Sequence, residues 1–217
     1  MAILVMILGD TGSGKTRSIK NMDQEKTLII QVTDKPLPFK ETGWKKVLST
    51  NFSDVAKMLN AAVAKKLEAV IVDDFQYLLA GEFMRRGGEN GYQKFTDIAV
   101  NTYNLLSMIQ AMPKSMVVYL TWHSETTIVG EEHLERAKTI GKMLNEKITV
   151  EGLFTIILKA YRDKLDGKYY FATQTNGNDV CKSPEDLFES NRIENDLSVV
   201  HKAICNFYNI GATSNEV

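Results

Sequence analysis

The 217-residue sequence predicts an α/β fold: a mostly parallel sheet flanked by helices, with a C-terminal β-hairpin. Three observations carry this. Short apolar, β-branched runs alternate with stretches of helical period, the pattern of strand–helix–strand units. The first run, Ala2–Leu8, leads directly into Gly9-Asp10-Thr11-Gly12-Ser13-Gly14-Lys15-Thr16, a complete G-x-x-x-x-G-K-T phosphate-binding loop. Late in the chain, Asp166-Gly167 separates two β-compatible runs, a hairpin turn signal. No repeat, low-complexity block or Pro/Ser-rich linker divides the sequence, so residues 1–217 read as a single domain.

Ala2–Leu8 is apolar enough for a buried parallel strand. A helix is expected from Thr16, where its N-terminal dipole favours an anion. Thr27–Thr33 reads as a second strand, ended by Asp34-Lys-Pro-Leu-Pro38, and Lys46–Ser49 as a short third. Phe52–Lys66 carries Val55, Met58, Leu59, Ala62 and Val63 at helical spacing, with Asn51 or Ser53 as cap. Glu68–Asp74 is a strand, and Phe75–Met84 a helix. Arg85-Arg-Gly-Gly-Glu-Asn-Gly91 is a loop by composition. Tyr92–Met112 is a long helix with Phe95, Ile98, Leu105, Leu106 and Ile109 inward, and Ser115–Thr121 a buried strand. Trp122–Ala137, interrupted by Gly130, has no clear period and reads as a loop. Lys147–Ala160 and Lys168–Thr173 flank the hairpin turn, and Glu194–Tyr208 is a helix covering the sheet edge.

Bulk properties exclude several classes. Twenty-six basic against 27 acidic residues leave a formal net charge of −1, so any nucleic-acid surface must be local. Cys181 and Cys205 have neither metal-ligand spacing nor disulfide density, and His123, His133 and His201 form no metal-ligand pair. The N-terminal apolar run is too short to span a bilayer and has no basic leader, so a cytoplasmic protein without a membrane partner is expected.

The chemistry centres on the phosphate loop. Its glycines let backbone N–H groups turn toward a phosphate chain. Lys15 can reach the β- and γ-phosphates, and the Thr16 hydroxyl can ligate Mg²⁺; Arg17 follows directly. Val70-Ile-Val-Asp73-Asp74 ends a strand in two acids at the carboxyl edge of the sheet. Asp73 is the expected Mg²⁺ residue. Asp74 either polarises an attacking water or caps the next helix, and Asp34, ending the second strand, is its rival as base. Thr121, at the tip of a further strand, is expected to sense the γ-phosphate, with His123 held either as a partner there or as a satisfied loop histidine. Arg85, Arg86, Tyr92 and Lys94 on one segment, and Arg136, Lys138 and Lys142 on another, combine cations with an aromatic. Such groups can track and stack a single-stranded nucleic acid, or line an ordinary solvated lid. Arg85, Arg86, Lys138 and Lys142 are also candidates for a finger reaching a neighbour's γ-phosphate.

GDTGSGKT, VIVDD, the YLTWH strand and the segment KTIGKML…EGLFTIILKAY…DGKYYFATQTNG together resemble the phage and prophage ATPases with a RecA-like core, in particular the Sak-type single-strand annealing ATPases. The resemblance implies a RecA-like P-loop ATPase using Mg·ATP in phage DNA recombination or annealing. It implies DNA loops at Arg85–Gly91 and Trp122–Ala137, and a homo-oligomer, ring or filament, with basic residues after the second loop against the neighbour's nucleotide. The RecA-type catalytic glutamate is here at best Asp34. Two other readings stand beside it: a nucleotide-gated helicase loader and a small-molecule P-loop kinase. The kinase lacks a clustered arginine lid, and no N-K-x-D guanine motif supports a GTPase.

Overall fold

The computed structural model describes residues 1–129 and 132–211. In chain order these form β1 (Ile3–Gly9), a 3-10 helix (Thr16–Asn21), β2 (Thr27–Gln31), β3 (Lys45–Leu48), α1 (Phe52–Ala64), β4 (Ala69–Asp73), α2 (Gln76–Arg85) and α3 (Gln93–Gln110). There follow β5 (Val117–Val129), β6 (Glu132–Ala137), a π-helical turn (Met143–Ile148), a 3-10 turn (Val150–Leu153), β7 (Ile156–Arg162), β8 (Tyr169–Ala172), β9 (Arg192–Glu194) and α4 (Leu197–Phe207).

The sheet runs β3-β2-β4-β5-β1-β7-β8-β9. β3 to β7 along this path are parallel. β8 and β9 add antiparallel at one end. The architecture is therefore α/β with a mostly parallel, helix-flanked sheet and the expected hairpin.

Alternation along β1 sorts the core into two layers. Leu4, Met6 and Leu8 join α1, α2 and α3 on one face, through Val55, Leu59, Leu78, Ile98, Leu105 and Ile109. Val5 and Ile7 join Ile19 of the 3-10 helix and Leu197, Val200 and Ile204 of α4 on the other. Both faces are covered, which is why the central strands read as unbroken apolar runs. Caps fix the helix starts: Asn51 Oδ1 accepts from the Asp54 N–H at 2.9 Å, and Asp196 Oδ1 from the Ser198 N–H at 2.8 Å.

Two expectations are corrected. The helix after the phosphate loop is one short 3-10 helix of six residues, because Met22 already turns back toward β2. Its dipole is small, so anion binding falls to the loop itself and to Lys15. The segment Trp122–Ala137 is a β-ribbon: β5 continues beyond its neighbours to Val129 and pairs antiparallel with β6. Gly130 and Glu131, part of that expected loop, lie outside the described residues. Among the described residues no helix is long and apolar enough to cross a membrane.

Candidate functional site

The parallel register brings the motifs to one edge. Val72 pairs with Leu120 and Ile7 with Thr121, so Asp73 and Thr121 arrive together at the level where β1 enters the phosphate loop. β5 lies between β1 and β4, so the ends of those two strands are two strand spacings apart, roughly 10 Å, and Thr16 after the loop and Thr121 of β5 reach Asp73 across that distance. A cleft of about 910 Å³ opens at this edge, lined by Gly12, Gly14, Lys15, Thr16, Arg17, Lys20, Lys35, Lys40, Asp74, His123 and Tyr169, with Phe39 and Trp44 at its side.

The loop is curled tightly. Gly12 and Gly14 have φ of +78° and +98°. A Cβ on Gly14 would lie 2.6 Å from Tyr169 Cδ1, so the approach of β8 also requires glycine there. Lys15 is buried, its ammonium donating to the carbonyls of Gly9 at 2.6 Å and Asp10 at 2.8 Å. Burial lowers its pKa to about 8, against the raising charges of Asp74 and Asp73. Asp10 Oδ1 accepts from Ser124 Oγ at 3.0 Å, tying the loop to β5. Thr11 lines the mouth of the cleft. Arg17 lies over the Tyr169 ring at 4.9 Å and reaches Asn195 Oδ1 at 3.4 Å. Two buried polar atoms at this loop, Ser13 Oγ and Asn195 Nδ2, have no hydrogen-bond partner in the protein. Neither residue lines the cleft; what fits an oxygen-rich ligand there is the glycine-curled backbone with Lys15, Arg17, Lys20, Lys35 and Lys40 around it.

Thr16 and Asp73 meet directly: Thr16 Oγ1 donates to Asp73 Oδ1 at 2.9 Å. Asp73 is buried, and burial together with the charge of Asp74 raises its pKa against the bonds from Thr121 and Thr16. A buried carboxylate beside a hydroxyl is a suitable corner for Mg²⁺, which takes one or two protein oxygens and completes its octahedron with phosphate and water. Among the described residues no group of three or more His, Cys, Asp or Glu could hold a metal by itself.

Thr121 does not face the cleft as a sensor. Its hydroxyl donates to Asp73 Oδ1 at 2.8 Å and accepts the Asp74 N–H at 2.7 Å, so it positions both acids. Asp74 does line the cleft. Its backbone is left-handed, φ +63°, a conformation that Asp tolerates and that clusters at functional sites. Its carboxylate takes Thr33 Oγ1 at 2.9 Å, an ion pair from Lys35 and His123 Nε2 at 3.5 Å. Burial opposes its ionisation, but these partners outweigh burial and hold its pKa well below the usual carboxylate range. Asp34 is corrected: it is exposed and outside the cleft, because Thr33 and Lys35, its neighbours on either side, are the residues turned to Asp74.

The basic segments divide. Arg86 is bound to Glu82 at 3.5 Å and to Glu89 and Asp97, each at 2.7 Å. Lys94 donates to the Glu89 carbonyl at 2.8 Å and lies 5.4 Å from the Phe83 ring centre. Arg136 makes a two-pronged pair with buried Glu151, at 3.2 and 3.0 Å, and Glu151 also accepts the Ala137 N–H. These three are structural cations, not free contacts for a nucleic acid. Arg85, Tyr92, Lys138 and Lys142 are exposed; Tyr92 is 86% accessible. Trp122 is fully buried against Phe75, with its indole N–H on the Lys138 carbonyl at 2.7 Å, so it offers no stacking face.

Sequence reasoning missed Thr33, Lys35, Tyr169 and Asn195. The Thr33-x-Lys35 spacing after β2 was visible, but only the β2–β4 pairing shows that both side chains converge on Asp74. A scan against protein-family models and a search of curated proteins gave no match for this chain.

Proposed function

We propose that the protein is a Mg²⁺-dependent ATPase of the RecA-like P-loop class. One observation carries the reading: a glycine-curled loop with buried Lys15, Thr16 in contact with the buried Asp73 behind it, and Asp74 all meet at one cleft. That cleft has five cationic residues, Lys15, Arg17, Lys20, Lys35 and Lys40, and Asp74 as its acid, although the whole chain has a net charge of −1. A local positive field of this kind suits a polyanion. Lys15 and the loop N–H groups bind the phosphates. Thr16 and Asp73 would hold Mg²⁺, which would supply positive charge to offset that of the phosphates. Asp74, kept ionised, orients water for in-line attack, and it is held too tightly in its present contacts to be a strong proton acceptor.

The DNA task is part of the proposal: single-stranded DNA in phage recombination or annealing, contacted by Arg85 and Tyr92, with Lys138 and Lys142 against DNA or a neighbouring subunit's nucleotide in a homo-oligomer. The exposure of these four supports it; the pairing of Arg86, Lys94 and Arg136 narrows it. A second reading, a nucleotide-gated loader with slow turnover, is favoured by the Lys35–Asp74 ion pair, which occupies the water-orienting acid. Steady-state ATP turnover with Mg²⁺, measured alone and with single-stranded DNA, duplex DNA or small phosphate acceptors, separates these. DNA-stimulated turnover lost in Lys15→Ala is expected. Near-normal turnover in folded Lys15→Ala would sink the ATPase assignment, tight ATP binding without appreciable turnover favours the loader, and phosphoryl transfer to a small acceptor favours a kinase.

A further inference from the structure

We infer that Lys35 is a γ-phosphate ligand supplied by the same chain, held on Asp74 until a nucleoside triphosphate enters the cleft. The inference rests on the nucleotide reading above and adds to it how the site tells a triphosphate from a diphosphate.

The ion pair is unequal in a telling way. Asp74 is walled in, its side chain 3% accessible, while the Lys35 side chain is 46% accessible and sits on the irregular segment after β2. One partner can leave and the other cannot. Lys35's backbone is anchored, its N–H on the Thr33 carbonyl at 3.0 Å and its carbonyl accepting Gln31 Nε2 at 3.1 Å. Movement is therefore confined to a flexible four-carbon side chain ending in three donors, enough to bond a carboxylate and a phosphate together or in turn. Nor is Asp74 orphaned by the exchange, since Thr33 Oγ1 and His123 remain beside it.

Placement and charge point the same way. Arg17, Lys20 and Tyr169 line the cleft on the side of the 3-10 helix, while Lys35 just after β2, Asp74 just after β4 and His123 on β5 line it on the other. A phosphate chain lying along the loop, with its third phosphate at the strand tips, meets Lys35 through that phosphate. Asp73 and Asp74 would otherwise present two carboxylates to the incoming anion, and Lys35 cancels that repulsion. Its charge is also close enough to bear on Lys15, so the two ammonium groups share one patch of the cleft. Burial opposes the charge on Lys35, but the bond to Asp74 holds its pKa above the ordinary lysine value, so it is a cation at any physiological pH.

Calorimetric titration of Mg·ADP and of a Mg-bound β,γ-imido ATP analogue into wild type, Lys35→Ala, Lys35→Gln and Lys35→Arg tests this. Lys35→Ala and Lys35→Gln are expected to bind the triphosphate about 10- to 100-fold more weakly, the usual cost of a lost charge-assisted bond, with ADP affinity within about 2-fold of wild type. Lys35→Arg should keep most of the discrimination. An equal loss for both nucleotides, or no loss, in a variant that melts like wild type overturns the role of Lys35 while leaving the nucleotide site intact. Lys35→Gln keeps a donor beside Asp74 and provides the reading if Lys35→Ala does not fold. A wild-type protein that binds neither nucleotide overturns this inference and the nucleotide site together.

Discussion

Two regions of the molecule use the same basic residue types to opposite ends. In the cleft, Lys15 is satisfied by two carbonyls, Arg17 by Asn195 and a tyrosine ring, Lys20 and Lys40 have no carboxylate partner among the described residues, and Lys35 is paired with Asp74 through a side chain free to leave it. Around α2, α3 and the β5–β6 ribbon, Arg86 is matched by three carboxylates and Arg136 by a buried one. Cations left without counter-charges around a concave surface create a field for an anionic ligand; cations given carboxylates consume that field to hold elements together. A count of lysines and arginines along the chain cannot separate these cases.

The contrast breaks first at the acids. Asp73→Asn should lose at least ~10²-fold of Mg²⁺-dependent ATP turnover, and Asp74→Asn a comparable amount with nucleotide binding retained, since each removes a positioned charge from the cleft. Asp34→Asn, outside the cleft, should turn over normally; if it alone loses activity, the placement of the reacting water at Asp74 is wrong.

The structural cations should register as stability. Glu151→Ala strands Arg136 and removes the acceptor of the Ala137 N–H. A loss of about 3 kcal/mol, or roughly 6–12 °C in melting temperature for a chain of this size, is expected. Arg86→Ala should also lower the melting temperature, while Arg85→Ala should leave it nearly unchanged. A reversed order would mean that the ion pairs around Arg86 are idle.

DNA binding should follow the exposed set. Arg85→Ala/Tyr92→Ala should weaken single-stranded DNA binding several-fold, and each lost phosphate contact should flatten the log–log salt dependence by about one. The titration is made at low salt with Mg·ATP. A wild type that hydrolyses ATP but shows no DNA binding there removes DNA as the partner.

The smallest effect is a proton. Lys15 has a pKa of about 8 in the free protein, below its unfolded value, so its charge is disfavoured by folding below pH 8 and that penalty fades as pH rises toward the unfolded value. A bound phosphate chain restores the charge. Nucleotide binding at pH 9 should therefore take up a proton, and affinity should fall as pH rises through 8. Calorimetry at pH 9 in two buffers of different ionisation enthalpy reads the uptake; identical heats would show that Lys15 is already charged.

What the sequence by itself determined is local: the phosphate loop, whose residue types and spacing are the chemistry, the apolar strands Ile3–Gly9 and Ala69–Asp73, the amphipathic helices, and the Asp166-Gly167 turn. Each depends on a few adjacent residues and a period. The β5–β6 ribbon escaped because it projects beyond the sheet, where no buried face imposes alternation; residues such as Thr126, Ile128 and His133 are exposed. β9, three residues long, carried too little pattern to read. Only the tertiary structure decided which polar residue meets which. Thr121 became the prop of two acids, Asp34 turned outward while Lys35 turned in, and Arg86 and Arg136 were claimed by carboxylates. The first two outcomes are set by strand order and register, which bring Thr121 to Asp73 and Asp74, and Lys35 to Asp74, across long stretches of chain. The partners of Arg86 and Arg136 are nearer in sequence, and the turns between elements decide which of the available carboxylates each cation meets.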